Sequence, residues 1–466
     1  MSGKRKPLGP VAADESKDPD RFWDDDPCDD VIPPAGFISD MVYYARGREV
    51  PALFTIWTSL FALSSALKRE VWLPWADERL YTNYYIIVVG PAGIVKKNFA
   101  LNQAIRVLSR VQEYIEDPSV ALRKRIEILS GTVTPEAVFQ SLVEAAGRRK
   151  KDVAKIAAMS PGGSTDPYKP TSELAISLFE MATSVGKKSY QEGMIEKLLD
   201  LYDPQDRVEW KTMGRGSVLL PFTHTTLCAL TTAQGFKNSI PSVATSDGFL
   251  SRCVVVYQSD TARCFDEPII PVKAPRLSDL RERLGYIAGH FLGEYRLDPE
   301  AKAHYKKWYG DFRSRLRMDV RFAGARSRVP QIILKNALLI HAQRYENALG
   351  SHLITLEELL ASEHLFSRTW DESRSLISML IEDGVSEDLA RVEGIIHRRG
   401  SVSREKLIRN SHIHAAELND AIRRLSAEGK VKITIRSVQQ EKVAGHVDEV
   451  YHYVGSGSGG EGDSDE

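Results

Sequence analysis

The segment from Tyr84 to about Ile115 constrains the fold of this chain more than any other. Six consecutive apolar residues, YYIIVV, end at Gly90, and the loop GPAGIVKKN leads into a helical pattern that begins at Phe99. A short run of β-branched and aromatic residues is typical of a strand that is buried on both faces. A strand, a glycine loop and a helix in this order point backbone N–H groups and the positive end of the helix dipole at one spot. The segment therefore predicts an α/β fold with a phosphate-binding loop.

The two lysines of this loop leave two registers open. The usual spacing, G-x-x-x-x-G-K-[ST], counted from Gly90, puts a valine in place of the second glycine and makes Lys96 the phosphate lysine. In a loop one residue longer, which we favour, Lys97 is that lysine, Gly93 stays at the turn and Asn98 stands where a hydroxyl would hold Mg²⁺. A plain strand–helix turn is the alternative. Two lysines at a helix N-terminus oppose its dipole, however, and a bound anion such as the phosphates of ATP would explain that cost.

Three further apolar runs have the composition of buried strands. They are Leu174–Phe179 before Glu180, Thr225–Leu230 before Thr231 and Thr232, and Cys253–Tyr257 after Arg252. Separated by helices and loops, these runs predict a parallel sheet.

Each polar residue at the end of one of these runs has two possible interpretations, one functional and one structural. Glu180 is a candidate base for the water that attacks ATP, or a surface glutamate. Thr231 places a hydroxyl beside the γ-phosphate, or it caps the next helix. Arg252 completes the nucleotide site of a neighbouring subunit, or it forms a structural salt bridge.

The order of these motifs resembles the P-loop helicase-like proteins of phages and mobile elements, which are distantly similar to AAA+ and minichromosome-maintenance helicases. The resemblance covers residues 35–385 and is carried by GPAGIVKKN, the strand with Glu180, YQEGMIEKLLDLYD, TTLCALTTAQ and DGFLSRCVVVY. It implies an ATP- and Mg²⁺-dependent ring on DNA. The roles it implies are phosphate binding for Lys97, water activation for Glu180, nucleotide sensing for Thr231 and a finger in the neighbouring site for Arg252.

Two departures from the family pattern fall on magnesium ligation. Asn98 replaces the hydroxyl residue, and Phe179 stands where an aspartate would be. They affect hydrolysis more than binding. Arg326 and Arg328, in GARSRVP before a long helical pattern, are weaker candidates for a lid arginine.

From Leu389 onward the pattern is that of a winged helix. A helix to Arg398, a second one capped by residues 401–403 and a third from Ala415 to Glu428 precede the alternating segments VKITIRSV and VDEVYHYV. In such a module the second helix of the helix pair enters the major groove of DNA. The candidates for DNA contact are Asn419, Arg423 and Arg424 on this helix and Lys430, Lys432 and Arg436 on the wing. A protein-binding module is the alternative, because the same helix carries Glu417 and Asp420.

The bulk composition fits several globular segments. The 466 residues have a formal net charge of −1, so DNA binding would depend on local basic patches. Residues 145–173, with GRRKKD and a Gly/Pro/Ser-rich stretch, are interpreted as a surface loop. The predicted organisation is a disordered tail (1–35), a helical segment (36–80), the ATPase core (81–270), a helical lid (271–385), the winged helix (386–454) and an acidic disordered tail (455–466).

Cysteine usage and hydropathy indicate a reducing, cytoplasmic location. The four cysteines show no CxxC spacing, and Cys228 and Cys253 lie in apolar runs typical of core thiols. The N-terminus lacks the apolar region of a secretory signal. The most apolar stretch, Leu53–Leu67, carries several Thr and Ser residues and is interpreted as a buried helix rather than a membrane span.

These features predict an ATP-dependent DNA motor of the replicative-helicase type, from a phage or mobile genetic element. It would form a homo-oligomer such as a hexamer and work with other replication proteins. The alternative is a nucleotide-switched DNA-binding initiator, loader or regulator with weak or no hydrolysis, which Asn98 and Phe179 favour. A third hypothesis is a scaffold whose winged helix binds protein.

Overall fold

The computed structural model describes residues 28–159, 171–185, 193–212, 216–240, 248–260, 274–318, 320–344, 347, 350–411, 413, 415–437 and 447–454. Residues 1–27 of the predicted N-terminal tail, the predicted acidic tail 455–466 and Cys264 lie outside the described residues. The chain forms two compact units, residues 1–376 and 377–466. None of the helices in the described part is long and apolar enough to cross a membrane.

The strands follow one another in chain order as β1 (Val71–Trp75), β2 (Glu78–Tyr81), β3 (Tyr85–Val89), β4 (Ile128–Ser130), β5 (Ser172–Leu178), β6 (Arg207–Thr212), β7 (Gly216–Pro221), β8 (Thr223–Thr231), β9 (Cys253–Tyr257), β10 (Gly293–Glu294), β11 (Arg296–Leu297), β12 (Leu353–Ile354), β13 (Ser401–Ser403), β14 (Val431–Ser437) and β15 (Val447–Tyr453). The helices are α1 (Phe37–Arg46), α2 (Ala52–Leu67), α3 (Lys97–Leu108), α4 (Pro118–Arg123), α5 (Pro135–Met159), α6 (Met194–Tyr202), α7 (Ala233–Ser239), α8 (Phe249–Arg252), α9 (Leu277–His290), α10 (Pro299–Met318), α11 (Val320–Arg326), α12 (Val329–Ala342), α13 (Leu356–Arg399), α14 (Arg404–Ser411) and α15 (Ala415–Ala427).

The centre of the first unit is a five-stranded parallel sheet in the order β4-β5-β8-β3-β9. This confirms the predicted α/β class. β3 and β8 are buried along their whole length, as expected of strands that helices cover on both faces. Every residue of α2 is buried, which confirms that the most apolar stretch is a core helix. Cys228 in β8 and Cys253 in β9 are buried thiols, as predicted.

The register of the sheet aligns the polar residues that follow the strands. Val89 at the end of β3 pairs with Thr231, and Leu178 at the end of β5 pairs with the residue two positions before Thr231. Glu180 is two residues beyond Leu178, so it reaches the level of Thr231. Gly90 follows Val89 directly, so the loop begins at the same level of the sheet. The carboxyl ends of parallel strands are where open α/β sheets bind their ligands.

The prediction of a surface loop over residues 145–173 is wrong for its first half, because α5 continues to Met159. Leu142, Ala145, Arg149 and Ile156 are buried at helical spacing along α5. The Arg149 guanidinium donates to the Leu122 carbonyl oxygen at 2.9 Å. The charges of GRRKKD therefore belong to an amphipathic helix, which their density concealed. Residues 160–170 lie outside the description.

The second unit has the arrangement expected of a winged helix. The end of α13 is followed by α14, α15 and an antiparallel sheet in the order β13-β15-β14. Its core includes Val392, Leu407, Leu418 and Leu425. Two details differ from the prediction. The first helix is the end of the long α13 rather than a separate helix, and residues 401–403, interpreted as a helix cap, form β13.

Candidate functional site

The loop after β3 has a backbone shape that depends on Gly90, Gly93 and Lys96. A Cβ atom at Gly90 would lie 2.6 Å from Val95 Cγ2 and 2.9 Å from the Gln258 carbonyl oxygen, so only glycine fits there. Gly93 has a φ of +80° and Lys96 a φ of +45°. The left-handed region costs a non-glycine residue about 1–2 kcal/mol. Such strain concentrates at ligand-binding loops, where it fixes the direction of backbone groups.

The two lysines of the loop point in different directions. Lys97 is the first residue of α3, and its buried Nζ donates to the carbonyl oxygens of Gly90 at 3.1 Å and Pro91 at 3.4 Å. Lys96 is exposed, and its Nζ lies 3.9 Å from Glu49 Oε2. Burial lowers the pKa of Lys97, and the nearby charge of Glu180 partly opposes this effect. Only Lys97 therefore lies inside the loop.

Glu180 and Thr231 come together at the carboxyl edge of the sheet. The Thr231 hydroxyl is fully buried and has no hydrogen-bond partner among the described residues. Thr232, not Thr231, caps α7, since its Oγ1 accepts a hydrogen bond from Gly235 N at 3.0 Å. A buried hydroxyl without a partner costs about 1–3 kcal/mol, which a ligand oxygen at this point would recover.

Gly235 is a functional candidate that sequence reasoning missed. A Cβ atom on it would clash with Thr231 Oγ1 and lie 3.8 Å from Glu180 Oε1. The glycine thus leaves open the space between these two side chains. In the sequence, Gly235 is marked only by its position three residues after Thr232, which caps the helix.

The residues that would hold magnesium are few. Asn98 is exposed on the first turn of α3, and Phe179 is half-buried against the main apolar core. In the described residues no group of three His, Cys, Asp or Glu side chains could hold a metal ion. Mg²⁺ commonly binds one or two protein oxygens together with nucleotide phosphates and water. The exposed Asn98 amide oxygen fits this mode as a single protein donor beside bound phosphates.

Arg252 lies at the opposite edge of the sheet. The residue after it opens β9, which pairs in parallel with β3, so Arg252 is level with the start of β3. It is therefore about 20 Å along the strand from Gly90. Its guanidinium donates to the Gly248 carbonyl oxygen at 3.1 Å and lies 3.5 Å from Asp203 Oδ2. Arg252 does not reach the phosphate loop of its own chain.

Asp203 joins Arg252 to Arg328, a contact that sequence reasoning missed although Asp203 ends the motif YQEGMIEKLLDLYD. Both Asp203 oxygens accept from Arg328, at 2.7 and 3.0 Å. Both guanidinium groups lie over the Tyr202 ring, 5.7 and 5.3 Å from its centroid. The structural salt bridge, one of the two interpretations of Arg252, is therefore present, at the edge of the sheet away from Lys97. Arg326, the other lid candidate, stacks on two aromatic rings.

Lys335 of α12 is buried beside this arginine cluster. Its Nζ donates to the carbonyl oxygen of Asn83 at 2.7 Å and to Asn83 Oδ1 at 3.1 Å, and it lies 4.9 Å from the centroid of the Tyr202 ring. Among the described residues it forms no ion pair. Burial lowers the pKa of Lys335 to about 7, because a charged ammonium loses its hydration there.

Replacing Lys335 with methionine should flatten the pH dependence of stability above neutrality. The folded pKa of about 7 lies below the ordinary value of 10.5, so the unfolded chain binds more protons between these two pH values. The free energy of unfolding of the wild type therefore rises with pH across this window. We expect urea unfolding to show that the free energy of unfolding of the wild type rises between pH 7 and pH 10. This rise should be about 2–4 kcal/mol larger than the rise for Lys335→Met. Equal rises would contradict the buried, uncompensated charge.

The candidates for DNA contact in the second unit differ in their partners. Three of them, Asn419, Arg423 and Lys432, are exposed. In the described part of the chain, neither Arg423 nor Lys432 forms an ion pair. Arg424 pairs with Asp420 at 2.8 Å, and Lys430 pairs with Glu393 at 3.2 Å. The side chain of Arg436 lies outside the described residues. Exposed ion pairs are worth about 0–1 kcal/mol, so DNA phosphates can replace these carboxylates at little cost.

Comparisons with known proteins leave the family open. No family model matches the chain, and no curated protein matches it. Among solved structures, the crystal structure of a full-length MCM homolog from Methanopyrus kandleri is 14% identical in sequence. The match has a TM-score of 0.29 and covers 59% of this chain and 56% of that one, so the chain matches little more than half of that protein's length. A similarity at this level does not identify a family.

Proposed function

We propose that this chain is an ATP-dependent DNA motor of the replicative-helicase type that works as a homo-oligomer, such as a hexamer. One observation carries the proposal. The buried Lys97 ammonium, the Glu180 carboxylate and the unpartnered Thr231 hydroxyl belong to one edge of a parallel sheet, at the N-terminus of α3. A cation, a base and a hydroxyl around a strained glycine loop are suited to a nucleoside triphosphate.

In this proposal each side chain has a separate task at the nucleotide. Lys97 exchanges the Gly90 and Pro91 carbonyl oxygens for β- and γ-phosphate oxygens, and the N–H groups at the start of α3 bind the same phosphates. The Thr231 hydroxyl donates to a γ-phosphate oxygen. Glu180 accepts the proton of the water that attacks the γ-phosphorus, while the bond to the leaving ADP breaks. Mg²⁺ bound with the nucleotide would neutralise phosphate charge, with Asn98 as its protein donor and Glu180 left free to act as the base.

Arg252 is assigned to the nucleotide of a neighbouring subunit. Its distance from the phosphate loop of its own chain supports this, because Arg252 is too far away to contact the nucleotide bound there. An arginine supplied in this way stabilises the charge of the transition state by orders of magnitude. Oligomerisation then becomes a condition of hydrolysis.

The second unit is assigned to duplex DNA. Asn419 and Arg423 lie one helical turn apart on the exposed face of α15, where they can meet base edges and phosphates in the major groove. Lys430 and Lys432 would hold the backbone. The origin in a phage or mobile element and the partnership with replication proteins rest on the sequence resemblance alone and form part of the proposal.

The test is ATP hydrolysis by the purified chain, with and without single-stranded DNA. We expect DNA to stimulate hydrolysis, and Glu180→Gln to lower the rate by about 10²–10⁴-fold while ATP binding persists, because the amide cannot accept the proton. Glu113→Gln, a change at another exposed glutamate, serves as the control and should leave the rate unchanged. Hydrolysis that survives Glu180→Gln would remove Glu180 from the mechanism.

A nucleotide-switched DNA-binding protein is the second candidate, because Asn98 and Phe179 leave magnesium with few protein donors. It predicts ATP binding that requires Lys97 and DNA affinity that changes with ATP, both without turnover. Absence of hydrolysis under these conditions would favour this candidate over the motor.

A further inference from the structure

Helix α10 carries six exposed basic side chains. Exposed on its surface are Lys302, Lys306, Lys307, Arg313, Arg315 and Arg317. None of them forms an ion pair with a carboxylate in the part of the chain that the structure describes. Elsewhere in the first unit, cations such as Arg69, Arg148 and Arg328 are held by Asp or Glu.

Four of these side chains form a row along one face of α10. At 100° per residue, Lys302, Lys306, Arg313 and Arg317 fall within an arc of about 60° and extend over about 22 Å. We call these four residues the basic row. The buried stripe of the helix, which includes Phe312, lies about 100° away from the row. Lys307 and Arg315 fall outside the arc.

Tyr309 lies at the edge of the basic row, and its ring is flanked by Tyr305 and Arg313. Its half-exposed ring stacks on Tyr305, with centroids 6.0 Å apart and an interplanar angle of 16°. The Arg313 Cζ atom lies 5.7 Å from its centroid. Tyr305 is fixed in turn, because its hydroxyl donates to the Pro330 carbonyl oxygen at 3.1 Å. Tyr309 also borders a cavity of about 340 Å³, whose other walls include Trp75, Glu78 and the Asp203–Arg328 ion pair.

We propose that the basic row and Tyr309 form a binding surface for single-stranded nucleic acid. Four unpaired cations on one helix face repel one another, and a polyanion removes this repulsion while it releases counterions. A row of about 22 Å equals the axial length of about six nucleotides of a stacked strand, at a rise of 3.4 Å each. Phosphates alone would also suit a duplex, but an unpaired base can stack on the half-exposed Tyr309 ring once the Arg313 side chain turns to a phosphate, whereas a duplex keeps its bases stacked inside.

This inference shares its nucleic-acid partner with the proposed function but not the nucleotide chemistry. It assigns the contact to the first unit, whereas the sequence pattern pointed to the winged helix. Lys97→Ala, which removes the phosphate lysine, should leave single-strand binding in the absence of ATP unchanged. Failure of the ATPase proposal and failure of this inference are therefore separate outcomes.

The experiment measures the affinity of the full chain for a fluorescent oligo(dT) by anisotropy over a series of salt concentrations, without nucleotide. Lys302→Gln/Lys306→Gln should weaken binding and reduce the slope of log K against log salt by about 1.4, since each single-strand phosphate contact contributes about 0.7. Lys307→Gln/Arg315→Gln removes the same charge from the same helix outside the row and should leave the slope unchanged. Equal effects of the two double variants, or none from either, would overturn the proposal.

A second variant tests the aromatic part. Tyr309→Ala should weaken oligo(dT) binding by about tenfold through lost stacking, while Tyr309→Phe retains the affinity and both variants keep the salt slope. Thermal unfolding checks that the alanine variant remains folded. A loss of duplex affinity as large as the loss for oligo(dT) would overturn the assignment to single strands.

Discussion

Replacing Lys97 with alanine should weaken ATP binding by about 100-fold or more, because a buried ammonium that faces phosphate oxygens forms charge-assisted hydrogen bonds in a partly desolvated loop. Lys96→Ala should change the affinity by less than about threefold, since an exposed cation paired at 3.9 Å with Glu49 gains little from a distant phosphate. A fluorescent ATP analogue titrated into each variant gives both values. The lysines are neighbours in sequence and equal in charge, so the pair forms a matched comparison.

The two registers of the loop, with Lys96 or Lys97 as the phosphate lysine, predict opposite results for these two variants. If Lys96→Ala caused the greater loss of ATP affinity, Lys96 would be the lysine that binds phosphate. Lys97 would then point inward only in the loop without a bound nucleotide. Equal and small losses would remove the phosphate site altogether.

The second large effect concerns Arg252. Arg252→Ala should lower ATP hydrolysis by about 10³-fold or more and leave nucleotide affinity almost unchanged, because Arg252 is about 20 Å along the strand from Gly90 of its own chain. Equilibrium binding and steady-state hydrolysis, measured on the same preparation, separate the two quantities.

Asp203→Asn is the control that distinguishes catalysis from structure. This change breaks the contact of Asp203 with Arg252 and Arg328 but keeps both arginines. If Arg252 serves only as a salt bridge, Asp203→Asn should lose as much activity as Arg252→Ala. If Arg252 acts on a neighbouring nucleotide, Asp203→Asn should retain most of the hydrolysis.

The strands around the site were predictable from the sequence because their burial leaves a direct signal. A strand covered on both faces is rich in apolar residues, and β3 and β9 are apolar throughout, while β5 and β8 each contain an apolar run after polar first residues. The position of Glu180 relative to Thr231 then follows from the parallel register. The winged helix was recognisable for a related reason, since alternating hydrophobicity in β14 and β15 marks a hairpin with one buried face.

Other features depend on contacts that no local pattern records. Asp203 and Arg328 are 125 residues apart and meet through a bidentate ion pair. β13 has only three residues and exists because β15 pairs with it. The charges on α5 concealed a helix because Arg149 and Asp152 are buried among them. Which of two adjacent lysines turns inward is decided by the left-handed backbone at Lys96, and a sequence shows this only when the residue is glycine.

The most direct test of an ATP site shared between subunits is a mixture of two inactive variants. Lys97→Ala keeps its Arg252, and Arg252→Ala keeps its phosphate loop, so a mixed oligomer contains interfaces with both intact residues. If the site is shared, hydrolysis, absent from each variant alone, returns when equal amounts are mixed and assembled together. A mixture as inactive as its components, although size-exclusion chromatography shows that they co-assemble, would contradict the account.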